Sequence, residues 1–272
     1  MKILALDTAT EACSAALLID GRLITREMEF ERGHGEHILP MVDAVLAEAG
    51  VTLRSLDALA FGRGPGGFTG VRLAASIVQG LAFGADLEVV PISDLAAMAQ
   101  RAFGLEPHTA RVLVCNDARM HEVYWACFER SHDGLAVLVG DERVGPPISV
   151  VLPTAWTQGL APATPREAGQ VGSAPSPSAP NATSQGARAS ATGAIGRGFR
   201  AYPELRSRLL VEINGRPPAA HLISDELLPR AQEIATLAVQ ELKEGRKLPP
   251  EQAIPVYLRD DVARPAPVTK LK

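Results

Sequence analysis

The sequence predicts an α/β fold built twice over. Three observations carry that prediction. Arg111-Val-Leu-Val-Cys-Asn-Asp117 repeats the pattern of Lys2-Ile-Leu-Ala-Leu-Asp7: an apolar strand ending in Asp, a short turn and a second apolar strand. Short apolar strands alternate with segments of helical period, the pattern of layered α/β domains. The two copies lie about 110 residues apart, too far for a solenoid of 20–50-residue repeats and suited to duplicated domains. The expected division is 1–105 and 106–272, the second part interrupted by an insertion at about 158–192.

Each element follows from local chemistry. Ile3–Leu6 and Ala15–Ile19 read as strands, and Asp20-Gly21 is a hairpin signal because Gly accepts positive φ. Leu23–Phe30 completes a meander. His37–Ala49 reads as a helix with Ile38, Val42, Val45, Leu46 and Ala49 on one face, Pro40 near its start and Gly50 as its stop. Leu56–Phe61 is a strand. A Gly-rich loop, Gly62-Arg-Gly-Pro-Gly-Gly-Phe-Thr-Gly70, leads from it into a helix expected over Val71–Gly84, rich in small residues. Glu88–Ile92 is a strand, and Ser93 can cap a helix to about Phe103. The second copy runs Arg111–Asp117 and Val123–Phe128. Gln158–Thr192 is dominated by Ala, Pro, Ser, Thr and Gly, which cannot bury enough apolar area to offset ordering entropy, so disorder is expected there. Asp225–Glu244 reads as an amphipathic helix and Ile254–Leu258 as a short strand.

Composition narrows the function. The chain has 272 residues, 46% hydrophobic and 21% charged, ordinary for a globular protein. A net charge of −4 argues against an autonomous nucleic-acid binder, which needs a basic excess against phosphates. Cys13, Cys115 and Cys127 show no CxxC spacing and read as buried reduced thiols. No stretch approaches the roughly 20 apolar residues of a membrane span, and the N-terminal apolar run is too short for a signal peptide, so a cytoplasmic protein with no membrane partner is expected.

The chemistry-bearing residues leave alternatives. The Gly-rich loop stands between strand and helix, where backbone N–H groups hold anions, but Phe68 occupies the place of a Walker lysine. Anion binding through Gly64, Gly66, Gly67 and Thr69 and a purely structural tight turn both fit. Asp7 and Asp117 end equivalent strands and either face a cleft, as ligands for Mg²⁺ or nucleotide, or cap their own turns. His34 and His37 form HxxH without a third ligand, so no metal site is expected. Arg119, His121 and Glu122 suit either an acid–base cluster or a solvated hairpin tip.

Four blocks resemble one bacterial family: Ile3–Ser14, Gly62–Arg72, Asp117–Met120 with Glu122–Tyr124, and Pro255–Arg259. They are similar to the TsaB family, once described as glycoprotease-like, over about 1–155 and 195–262; the 158–192 insertion departs from its pattern. The resemblance implies a duplicated actin/Hsp70-like (ASKHA) fold with mixed sheets flanked by helices. It implies a non-catalytic subunit that pairs with the TsaD-like catalytic paralogue and a TsaE-like ATPase, or with a second copy when alone. TsaD-like proteins transfer threonylcarbamoyl to an adenosine beside the tRNA anticodon, so tRNA is reached only through the complex. No cofactor is expected on this subunit, any ATP or ADP belonging to the complex. TsaD-like proteins hold metal with HxxxH; Asp94 and Met98 stand at those positions here, and Met is a poor ligand for a hard cation. The competing reading is an enzyme: a residual nucleotide hydrolase, or a protease acting on the paralogue.

The expected partner surface comprises Ile38, Val42, Val45 and Leu46 on one helix and Leu73, Ile77 and Leu81 on the next, the small residues Ala74 and Gly80 allowing a partner helix close approach. The alternative is that these side chains serve the internal core.

Overall fold

A computed structural model describes residues 1–157, 192–211 and 219–259. The first half is β1 Lys2–Asp7, β2 Ala12–Ile19, β3 Arg22–Glu29, α1 His34–Ala49, β4 Ala58–Gly62, α2 Phe68–Ala85, β5 Val89–Ile92 and α3 Asp94–Leu105. The second is β6 Arg111–Asp117, β7 Val123–Arg130, β8 Ala136–Gly145, α4 Thr154–Thr157, β9 Thr192–Ile195, α5 Gly198–Ala201, α6 Pro203–Leu209, β10 His221–Ser224 and α7 Ala231–Lys243.

The duplication is complete at the level of topology. The first sheet has the order β3-β2-β1-β4-β5 and the second β10-β9-β6-β7-β8, the same order read from its other edge. In each, an antiparallel meander is followed by two parallel strands: β1 pairs β4 and β4 pairs β5, while β6 pairs β9 and β9 pairs β10. Sequence reading misses β8, β9 and β10. β8 is an exposed edge interrupted at Gly140, whose φ is +80°, and β9 and β10 have 4 residues each.

The helices cross between the halves. α3 packs Leu95, Met98, Ala102 and Phe103 on Val112, Val114 and Phe128 of the second sheet. α7 packs Ile234, Ala235 and Ala238 on Ile3, Ala5 and Ala60 of the first. The expected boundary at 105/106 therefore separates the sheets, while a helix from each half covers the other half's sheet. Arg101 Nη1 donates to Leu228 O at 2.8 Å and Ala231 N to Ser14 Oγ at 2.9 Å, fastening the exchange.

Several boundaries differ from expectation. The last long helix begins at Ala231 rather than Asp225, because Pro229 and the turn in which Glu226 N donates to Ser224 Oγ occupy its expected first turns. Ile254–Leu258 is no strand: Pro255 lacks the N–H a ladder needs, and Val256 N donates singly to Arg63 O at 2.8 Å. α2 does not stop at Gly84. It runs to Ala85 and ends at Asp86, whose φ is +57°. Its 18 residues, at mean hydropathy 1.3, are long and apolar enough to cross a membrane, contrary to the sequence expectation; here 33% of them are buried against the first sheet.

Residues 158–191 lie outside the described residues, so the disorder expectation does too, except that Thr192 pairs with Arg111 and is buried. By composition the segment has no core to lose. Deleting 159–191 while keeping Thr192 is expected to leave the circular dichroism spectrum and melting temperature unchanged; a melting temperature lower by ten degrees would assign the segment a structural role.

Candidate functional site

A cleft of about 1590 Å³ opens between the halves, lined by Thr8–Glu11, Gly66–Val71 and Asn116–Met120, with Arg197 and Tyr257 at its edge. Of the equivalent aspartates, Asp117 lines one wall and Asp7 lies buried beneath the other. Asp7 Oδ1 accepts Ala9 N at 2.8 Å, and Asp117 Oδ1 accepts Arg119 N at 2.9 Å. Each carboxylate thus caps its own turn two residues on, the same device in both copies. Asp117 also accepts the Tyr202 hydroxyl at 3.0 Å. Asp7 is fully buried and does not reach the cleft, which corrects its assignment as a cleft ligand.

The Gly-rich loop packs directly on the turn after β1. A Cβ at Gly66 would lie 2.5 Å from Ala9 O, and Gly70 sits as closely on Thr8 O. Gly67 N spends its proton on Ala9 O at 2.6 Å, and Thr8 Oγ1 donates to Gly70 O at 2.7 Å. The glycines are there because backbone passes backbone. Gly66, Gly67 and Thr69 line the cleft, whereas Gly64 is buried below it.

Three arginines around the cleft are engaged by neighbouring acids. Arg119 pairs with Glu11 at 3.1 Å, and Arg197 with Glu11 at 3.3 Å and Glu29 at 2.9 Å. Arg259 pairs with Glu122 and donates to Ala118 O at 3.2 Å. Glu11 therefore ties the two walls together. Arg119, Met120 and His121 all have positive φ, near +60°, a costly run for non-glycine residues that Arg259 and Asp117 hold in place. Arg119 and Glu122 have separate partners across the turn, so the acid–base cluster is not formed. His34 Nε2 contacts Thr10 O at 2.9 Å and His37 stacks on Phe30 with centroids 4.3 Å apart, so HxxH does not converge.

Asp94 and Met98 are both fully buried. Asn116 Nδ2 donates to Met98 Sδ at 2.8 Å, and Asp94 Oδ2 accepts Gly64 N at 2.5 Å. Neither side chain opens into the cleft.

The helical surface needs a sharper correction. Ile38, Val42 and Val45 are at most 2% exposed and belong to the core between α1 and the first sheet, so they are not available to a partner. Leu46, Ile77 and Leu81 pack on the edge of that core, and Leu73 is half-buried beside Gly35. What faces outward is a stripe on α2: Ser76, Gly80, Phe83 and Gly84, with Leu39 exposed on α1. Phe83 is 82% exposed, and a Cβ at Gly80 or Gly84 would meet none of the described residues within 4 Å. Two glycines inside an exposed helix cost about 1 kcal/mol each relative to Ala. Neither is the helix cap, and Arg54 Nη2 donates to Gly84 O at 3.2 Å.

Comparison with known proteins places the chain. It is 38% identical over 269 residues, 97% of its own length and 96% of the relative's, to the tRNA threonylcarbamoyladenosine biosynthesis protein TsaB of Escherichia coli K12. The chain belongs to the TsaB family. The Haemophilus influenzae TsaB is 56% identical over 126 residues, 46% of this chain and 53% of that one. The profile of a family described as "TsaD: tRNA N6-adenosine threonylcarbamoyltransferase" matches residues 28–154. A crystal structure from Pseudomonas aeruginosa, titled an uncharacterized protein with similarity to peptidase YEAZ, aligns at TM-score 0.74 and 40% identity, covering 95% of this chain and 99% of that one. A second, titled YeaZ from Pseudomonas aeruginosa, aligns at 0.73 and 39%, covering 94% and 99%. TsaB-family membership and the duplicated sheets together give the actin-like ASKHA fold expected from the sequence.

Proposed function

We propose that this chain is the non-catalytic subunit of a cytoplasmic complex that forms threonylcarbamoyladenosine beside the tRNA anticodon. It pairs through the outer stripe of α2 with a TsaD-like catalytic paralogue, and with a second copy of itself when the paralogue is absent. A TsaE-like ATPase and tRNA are reached through that pair, and ATP or ADP is a ligand of the complex. The observation that carries this reading is Gly80 and Gly84 beside exposed Phe83: a small-residue groove and an apolar knob on a helix with one face left uncovered by the described residues. The cleft supports the non-catalytic part, since Arg119, Arg197 and Arg259 are engaged by Glu11, Glu29 and Glu122, and Gly66 and Gly67 lie against the backbone of Ala9. The test is reconstitution. The chain alone should turn over neither nucleotide nor peptide, and adding it to the paralogue should raise threonylcarbamoyl transfer. Turnover by the chain alone, or transfer unaffected by its addition, refutes the proposal.

A further inference from the structure

We propose that Asp7 and Asp94 share one proton, and that this proton pins the Gly-rich loop between β4 and α2 in place. The inference does not depend on the partner reading. Both carboxyl groups are fully buried, and they converge over Gly62: a Cβ there would lie 2.6 Å from Asp7 Oδ1 and closer still to Asp94 Oδ1. Asp7 Oδ2 and Asp94 Oδ1 are buried with no hydrogen-bond partner among the described residues, while the other oxygen of each is satisfied, by Ala9 N and Gly64 N respectively. Two carboxylates cannot satisfy each other; a carboxyl and a carboxylate can, because the proton on one donates to the other. Two bare charges side by side in this buried site would repel, which is why such pairs keep a proton.

The surroundings agree. Titratable groups facing the pair are Cys13 from β2 and Glu142 from β8. Arg63 is paired with Glu142 at 3.1 Å, and Ser93 Oγ also bonds that carboxylate. Burial pushes the Asp7 carboxyl up to about 6; burial, with the Asp7 charge behind it, holds Asp94 well above the usual carboxylate range.

The pair is the loop's anchor. Asp94 Oδ2 accepts Gly64 N, and Asp94 N donates to Gly64 O at 3.1 Å. Gly64 leads into Gly66 and Gly67 and so into the first turn of α2. The folded loop holds a proton that the opened loop, with ordinary carboxylates, releases at neutral pH. Folded pKa values above the open ones mean that closure is fully stabilised below about pH 4 and weakens as pH rises toward the pair's own titration. Above about pH 6, where Asp7 has titrated and the pair keeps a single proton, one proton per opening makes opening tenfold more frequent per pH unit until that proton leaves.

Two measurements test this in the full chain. With ¹³C-labelled aspartate, one carboxyl carbon should report a protonated acid at pH 7; all carboxyl carbons titrating in the ordinary carboxylate range would overturn the proposal. Amide-exchange protection of Gly64–Gly70, corrected for intrinsic rate, should fall about tenfold per unit between pH 6 and 8. In Asp94→Asn, whose amide donates to Asp7 and whose carbonyl still accepts Gly64 N, it should be flat, as in Asp7→Asn. Protection that is pH-independent in the unsubstituted chain, or that keeps its slope in whichever variant folds, would also overturn it.

Discussion

Val42→Glu is expected to unfold the first half of the molecule. Val42 is 2% exposed and lies with Ile38, Val45, Leu4 and Leu59 in the core under α1. A glutamate there lies among apolar side chains, and burying an unpaired carboxylate costs several kcal/mol, on top of the roughly 1.5–3 kcal/mol of apolar burial lost with the valine. A total of about 4 kcal/mol or more is comparable to the 5–15 kcal/mol by which domains are stable. Circular dichroism melting should show loss of the cooperative transition near ambient temperature. A Val42→Glu protein that melts like the parent but no longer pairs would restore Val42 to the partner surface.

Gly84→Leu is expected to do the opposite: fold normally and fail to pair. The added side chain enters open space, and replacing an interior helical glycine with Leu adds up to about 1 kcal/mol of helix propensity. The same side chain fills the groove in which a partner helix would lie. Overpacking a helix contact costs about 1–3 kcal/mol, and each 1.4 kcal/mol is tenfold in affinity. A melting temperature equal to or above the parent's, with affinity for the paralogue and for a second copy reduced tenfold or more, is the expected pair of results. Unchanged affinities in sedimentation and titration would remove α2 from the interface.

The contrast between Val42 and Gly84 shows what the sequence makes legible. The 3.6-residue period correctly groups Ile38, Val42 and Val45 on one face, but periodicity cannot say whether that face meets the chain's own sheet or another molecule. An apolar stripe is nearly always the inner one. The outer face is marked instead by Gly80, Phe83 and Gly84, whose side-chain positions meet none of the described residues or stand exposed. The duplication was legible because Asp7 and Asp117 end strands of the same pattern and make the same turn. The exchange of α3 and α7 between sheets was not, since nothing local tells a helix which sheet it will cover. The Asp7–Asp94 pair was hidden for the same reason: one residue reads as a strand end and the other as a first-turn helix acid, and only the tertiary fold brings them over Gly62.

Amide hydrogen exchange of the chain, alone and bound to its TsaD-like paralogue, tests the central claim most directly. Binding through the outer stripe predicts added protection in α2 over residues 73–84 and in α1 around Leu39, with the cleft segments 8–11 and 116–120 unchanged. Protection confined to the cleft segments, with α2 exchanging as it does in the free chain, would contradict the account.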